Sequence, residues 1–186
     1  MTTDLRGALR RRKPEKRLAR LAVRALGELT GAADLSGAGP VALVPDTGVY
    51  IRNAAGLLPP AVQALLDRAR LFHCSVCLAE LAIGVANADP SRANWADLRG
   101  YYVELFAAVP STRLLIPDAQ IWAEAGVIAG TLARTQTYQK HQLKECPNDA
   151  LIYLSAAKAG LPVLTANCDD FDLIQQLAPE GRFVHF

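Results

Sequence analysis

The sequence predicts an α/β fold built on a mainly parallel sheet, and three observations point that way. Val41-Ala42-Leu43-Val44 is a short apolar run that stops at Pro45-Asp46-Thr47-Gly48, the pattern of a buried strand feeding a helix. Ala150, Leu151, Leu154 and Ala157 recur at helical spacing and lead, past Gly160 and Pro162, into the β-rich run Val163-Leu164-Thr165. Helix followed by strand is half of an α/β crossover. The closing segment Arg182-Phe183-Val184-His185-Phe186 alternates polar and apolar residues, which predicts a final strand at a sheet edge.

The first 40 residues read differently from the rest. Residues 1–28 hold nine Lys and Arg against Asp4, Glu15 and Glu28, a net of +6 in a chain whose total is only +2. Basic charge is therefore expected on an N-terminal arm and linker, 1–40, that stands apart from a domain over 41–186. Within the arm, Pro14 interrupts a polar stretch, and Leu18, Leu21, Ala22 and Leu26 predict a short helix over 17–29. The Gly, Ala and Ser of 30–40 predict a linker. Such a cation run either contacts nucleic acid or is a solvated, disordered leader.

Later elements follow from spacing and from start and stop residues. Thr47 starts a helix after the first strand, and Pro59 and Pro60 open another over 58–70, with Val62, Leu65 and Leu66 on its apolar side. Residues 71–75 predict a second strand, and Ser75 caps a helix carrying Val76, Leu78, Leu81 and Ile83, with Glu80 among apolar neighbours. A helix over 89–109 carries Trp95, Leu98, Tyr102, Leu105 and Phe106 as core or dimer surface. Residues 113–116 predict a strand, and Pro117-Asp118 opens a helix to about 132, where Gly126 and Gly130 would let another helix come close. The polar interval 135–146, with Lys140, His141 and Lys144, predicts a loop or frayed helix end. Pro147, Asn148 and Asp149 then mark the start of the next helix.

Composition narrows the class. A chain of 186 residues with 51% hydrophobic and 20% charged residues can bury a core and reads as globular. No apolar run approaches the roughly 20 residues that span a bilayer, and no cleavable leader opens the chain, so the expectation is a soluble cytoplasmic protein without a membrane partner. Cys74-x-x-Cys77 has no second Cys or His pair to complete a structural zinc site, and Cys146 and Cys168 stand far from it, so all four cysteines are read as reduced.

Acids mark the functional edge. Asp46 follows one strand, Asp169 and Asp170 follow another, Asp149 opens a helix, and Glu80 comes from a separate segment. The carboxyl edge of a parallel sheet is where ligands gather, and carboxylates clustered there repel one another unless a cation intervenes. Oxygen ligands suit Mg²⁺ or Mn²⁺, ions that act on phosphate esters, so the chemistry expected is metal-assisted phosphodiester hydrolysis.

Four motifs carry a resemblance over 41–186. Val44-Pro45-Asp46-Thr47-Gly48-Val49-Tyr50-Ile51, Ser75-Val76-Cys77-Leu78-Ala79-Glu80-Leu81, Asn148-Asp149-Ala150-Leu151-Ile152 and Val163-Leu164-Thr165-Ala166-Asn167-Cys168-Asp169-Asp170-Phe171 resemble, in that order, those of PIN-domain ribonucleases. They are most similar to the VapC-type toxins of bacterial type II toxin–antitoxin pairs. The resemblance implies a PIN-like three-layer α/β/α sandwich with a central, mainly parallel sheet. It implies that Asp46, Glu80, Asp149 and Asp170 are catalytic and hold one or two Mg²⁺ or Mn²⁺ ions, supported by Thr47, Thr165, Asn167 and Asp169. Metal-activated water would then cut RNA, the chain would form a homodimer, and a cognate antitoxin would silence it. This sequence departs from the pattern at Asn167, where many relatives carry Asp, and in the basic arm. Two other functions stay open: a PIN nuclease of RNA processing or plasmid maintenance without an antitoxin, and a nucleic-acid-binding protein with a degraded site.

Overall fold

The computed structural model describes residues 4–35, 39, 41–138 and 142–186. Four parallel strands form the main sheet: β1 (Ala42–Pro45), β2 (Arg70–Leu71), β5 (Pro162–Thr165) and β6 (Arg182–His185), in the order β2-β1-β5-β6. Register pairs Val44 with Val163 and Leu164 with Val184. Successive side chains on a strand point to opposite faces. Here both faces are buried: Val44, Val163 and Phe183 enter one apolar cluster, while Leu43, Leu164 and Val184 enter the other. That is why β1 and β5 read as continuous apolar runs, and why β6, expected to alternate, instead sets Phe183 and Val184 side by side on opposite buried faces.

Helices cover both faces. α2 (Thr47–Ala54) and α3 (Pro60–Arg68) supply Val49, Val62 and Leu65 to the smaller cluster. α4 (Ser75–Asn87), α5 (Trp95–Ala107), α6 (Ala119–Gln136), α7 (Gln142–Lys158) and α8 (Cys168–Leu177) enclose the larger one, around Tyr153, Phe171, Ile128, Leu132 and Leu151. The predicted strand over 71–75 is split at Phe72. Arg70–Leu71 pairs with β1, whereas β3 (His73–Cys74) pairs with β4 (Leu114–Leu115) in a separate two-stranded ladder. Ser75 is the first residue of α4 rather than its cap, which is Cys74. The helix expected over 89–109 begins only at Trp95, and the one expected to end near 132 continues to Gln136, where Thr137 turns left-handed. Among the described residues, nothing beyond their own helix lies within 4 Å of where a Cβ on Gly126 or Gly130 would sit, so no described helix crosses close there.

Pro147 does not open a helix. α7 starts at Gln142 and runs through it, so Asn148 and Asp149 lie inside the helix rather than at its first turn. The proline removes only the bond its N–H would give to residue 143. Buried Cys146, one turn before buried Ala150, carries the apolar face upstream into the stretch expected to be a loop. Lys140 and His141, noted in that stretch, lie outside the described residues.

The arm is not an appendage. Its helix is α1 (Leu5–Arg12), capped by Asp4, whose Oδ1 accepts from Gly7 N at 2.9 Å, and it ends at left-handed Lys13. α1 packs on α6 through Arg12, which is 9% exposed and pairs with Glu124 and Glu180. Residues 17–25 are not helical, contrary to the spacing of their leucines. Side chains of the domain take their backbone groups instead. Gln176 donates to Ala22 O at 2.9 Å, Arg134 to Arg17 O at 3.0 Å, and Arg24 N donates to Asp172 at 2.9 Å. Arg24 Nε also reaches the fully buried Asp172 at 2.6 Å. After a 3₁₀ turn at Leu26–Glu28, His185 N bonds Thr30 O at 3.0 Å, so the outer edge of β6 is met by the arm.

Candidate active site

The carboxyl ends of β1 and β5 lie side by side, and the first site residues hang from them. Asp46 follows β1 and caps α2: its Oδ1 accepts from Thr47 N at 2.6 Å. Its Oδ2 accepts from the Thr165 hydroxyl at 2.9 Å across the gap to β5. Asp46 is 6% exposed and Thr165 fully buried, so this hydrogen bond is shielded from bulk solvent. Both predicted supporting threonines are in contact with carboxylates, because Thr47 Oγ1 donates to Glu80 Oε2.

Glu80 is brought in from the second turn of α4. Its other oxygen accepts from Asn148 Nδ2 at 2.8 Å, which ties α4 to the middle of α7. On the far side, Asn167 links the remaining acids: its amide donates to Asp149 Oδ2 at 3.3 Å and to Asp170 Oδ2 at 3.0 Å. Its backbone N–H donates to the Thr165 hydroxyl at 2.9 Å, closing the path back to Asp46. Tyr138, just beyond α6, donates its hydroxyl to Asp170 Oδ1 at 3.3 Å. Asp46, Thr47, Glu80, Asp149, Thr165, Asn167 and Asp170 therefore form one connected set. Asp169 does not join it; the side chain is exposed on the first turn of α8, where its charge acts on Cys168.

Asn148 and Tyr138 are site residues that the acid pattern does not reveal. Asn148 stands beside Asp149 in sequence, but its contact with Glu80 depends on how α7 crosses α4. Tyr138 belongs to the polar interval 135–146 and carries no local signal at all.

Among the described residues, mutual repulsion of buried acids is the dominant property of the set. Burial, opposed by the Thr165 and Thr47 hydrogen bonds and reinforced by Glu80, pushes Asp46 up to about 6. Asp149 is raised well above the usual carboxylate range, first by burial and then by the charges of Asp46, Asp170, Glu80 and Glu145. The neighbouring Cys146 thiol is pushed up to about 12 by burial and by Asp149 and Asp170, and the Tyr138 hydroxyl is raised by burial and by Asp170. All four shifts have the sign that a cation at the centre would reverse.

The donor set fits a hard divalent ion in chemistry, being carboxylate oxygens to which, among the described residues, no cationic side chain is hydrogen-bonded. Its present spacing does not make a finished ligand cage. Among the described residues, no group of three or more His, Cys, Asp or Glu is gathered as a metal site. Each of the four carboxylates is instead hydrogen-bonded to a hydroxyl or an amide: Asp46 to Thr165, Glu80 to Thr47 and Asn148, and Asp149 and Asp170 to Asn167. The four cysteines are free thiols, as expected, with Cys77 Sγ donating to Pro45 O at 3.7 Å between α4 and β1. No helix among the described residues is long and apolar enough to cross a membrane.

No protein-family model matches the chain, and no curated protein matches it. Solved structures do. The crystal structure of VapBC2 from Rickettsia felis, bound to a DNA fragment from the promoter, aligns over 78% of this chain and 99% of its own at 15% identity, with a TM-score of 0.55. VapBC-5 from Mycobacterium tuberculosis, a member of the VapBC family of toxin–antitoxin systems, aligns over 79% and 100% at 24% identity and a TM-score of 0.51. FitAcB from Neisseria gonorrhoeae aligns over 72% and 93% at 20% identity and a TM-score of 0.51. The chain has the PIN-like α/β fold of these structures, a parallel sheet between two layers of helices.

Proposed function

We propose that the chain is a metal-dependent endoribonuclease and the toxin of a toxin–antitoxin pair. One observation carries the reading: Asp46, Glu80, Asp149 and Asp170 arrive from four separate segments into one hydrogen-bonded set at the carboxyl edge of the sheet. The raised proton affinities of Asp46 and Asp149 mark a site prepared for positive charge. In this reading the four carboxylates hold Mg²⁺ or Mn²⁺, which when bound supplies the Lewis acidity that polarises a phosphodiester and acidifies water. Thr165 and Thr47 fix the orientation of Asp46 and Glu80. The solved structures of similar fold, among them one named as a toxin–antitoxin family member, support a cognate antitoxin as partner and are compatible with a homodimer acting on RNA in the cytoplasm.

The test is cleavage of mixed cellular RNA by the purified chain with Mg²⁺, with Mn²⁺ and with EDTA, alongside Asp149→Asn. Cutting that needs metal and falls at least about 100-fold in the variant is expected, since a residue acting on the reacting centre accounts for factors of that order. Cutting that survives in the variant or in EDTA would refute the assignment. A second reading has one observation in its favour: the Asn167 amide occupies Asp149 and Asp170 together. If Asn167 has disabled the site, the chain binds RNA without cutting it under any metal condition.

A further inference from the structure

The arm's turn builds a second site that the carboxylate chemistry does not use. Left-handed Lys13 reverses the chain between α1 and the 3₁₀ turn Pro14–Lys16, and the fold places that turn against the carboxyl end of α8. Between them lies a cleft of about 670 Å³ lined by Arg11, Arg12, Lys13, Lys16 and Arg17, over a floor of Leu177 and Pro179 with Glu180 at the side. Arg11 and Arg12 are partly neutralised by Glu124 and Glu180. The side chains of Lys13, Lys16 and Arg17 make no hydrogen bond or ion pair among the described residues. Arg12 adds a buried donor, Nε, that has no acceptor.

Arg12 holds the arm to the domain, but that role needs none of the three free cations beside it. Their convergence on one open cleft raises the local potential for a polyanion. Position favours a particular one. α8 carries Asp170 in its first turn and ends at the cleft, so the carboxylate site and the cations are separated by roughly the length of that helix, about 15 Å at 1.5 Å per residue. Arg17 and Arg20 lie on the exposed stretch that follows the cleft residues toward Leu21 and α8. A strand laid on the carboxylates and following α8 would reach the cleft.

We propose that the cleft framed by Arg11, Arg12, Lys13, Lys16 and Arg17 binds the phosphate backbone of single-stranded RNA, as a contact separate from the carboxylate centre. The choice of RNA rests on the function proposed above; the anionic chemistry rests on the cleft alone. Among the described residues no aromatic ring lines the cleft, so it offers no stacking platform and grips without regard to sequence.

The experiment measures equilibrium binding of a labelled single-stranded RNA to the full chain carrying Asp149→Asn, in EDTA, by fluorescence anisotropy across a salt series. It is repeated with Lys13→Gln, Lys16→Gln and Arg17→Gln added together, and with Lys16→Gln and Arg17→Gln alone, which leaves the left-handed residue in place. Each single-strand phosphate contact contributes about 0.7 to the slope of log affinity against log salt. The triple variant should therefore be shallower by about 2 and the double by about 1.4. Slopes unchanged in both would overturn the proposal. So would an acidic peptide whose binding depends on these residues while that of RNA does not. Cleavage is not read, so a chain that never cuts RNA but shows these slopes refutes the nuclease and leaves the cleft assignment standing.

Discussion

Asp46 joins the fold to the chemistry, because one carboxylate caps α2, bridges to β5 and faces the other acids. The sign of its shift fixes a pH dependence. A carboxyl raised from 3.8 in the unfolded chain to about 6 in the fold favours the protonated form. Its contribution to stability is therefore fully present below about 4 and is lost as pH rises through about 6. At neutral pH the metal-free fold carries a penalty of about 3 kcal/mol, taking about 1.4 kcal/mol per unit. Asp46→Asn removes that charge. It keeps an acceptor for Thr47 N, and the Thr165 hydroxyl can turn to accept from the new amide. Thermal melts in EDTA should show Asp46→Asn several degrees more stable than the parent at pH 7.5, with the gap closing by pH 4; a parent more stable at both pH values would contradict the burial argument. At this scale the sequence was informative, because acids placed after apolar strands are visible without a structure. Asp169 and Asp170 were not separable by that means: adjacent residues in one helical turn point about 100° apart, and only packing shows that Asp170 meets Asn167 and Tyr138.

Elements were legible where one apolar pattern had one burial partner. β1 and β5 fall where runs of Val and Leu predict them, since both faces of each are buried, and β6 falls at a sheet edge as the closing segment predicts. The start of α7 was hidden by Pro147 and the polar stretch before it, because a helix start signal is local while the packing of Cys146 is not. The segment 17–25 failed for the opposite reason. Its leucines have helical spacing, but its backbone is bonded to Asp172, Gln176 and Arg134, residues more than a hundred positions away. Arg24 is the fixing point of that segment, and Asp172 is fully buried beneath it. Arg24→Ala would leave a buried carboxylate unpaired, at about 3 kcal/mol or more, a fall in Tm of about 6–12 °C for a chain this long. Adding Asp172→Asn should recover much of the loss by removing the stranded charge. A double variant no more stable than Arg24→Ala alone would show that Arg24 acts through packing instead.

For the whole molecule, the arm's position inverts what its charge suggests. A run with a net of +6 reads as solvated, yet its paired arginines supply counter-charges to acids that the domain has buried. Glu124 is 8% exposed on α6 and Asp172 is wholly buried on α8, and each has its cationic partner in the arm. Residues 4–25 are thus proposed to be part of the folding unit rather than a tail attached to it. Deleting them removes both sets of partners at once, along with the cover that Leu21 gives the larger apolar cluster. Breaking one buried pair costs about 3–5 kcal/mol, and water entering the opened surface reduces that for each acid. Even at half that value, two such losses plus the exposed leucine consume much of a total stability of about 5–15 kcal/mol. The deletion should therefore express poorly or melt at least about 10 °C below the full chain, by roughly 2–4 °C per kcal/mol. Glu124→Gln with Asp172→Asn, introduced into the deletion, should restore part of the difference. A deletion that melts with the parent would return the arm to the status of a tail, and the cationic cleft would then have no rigid wall on which to form.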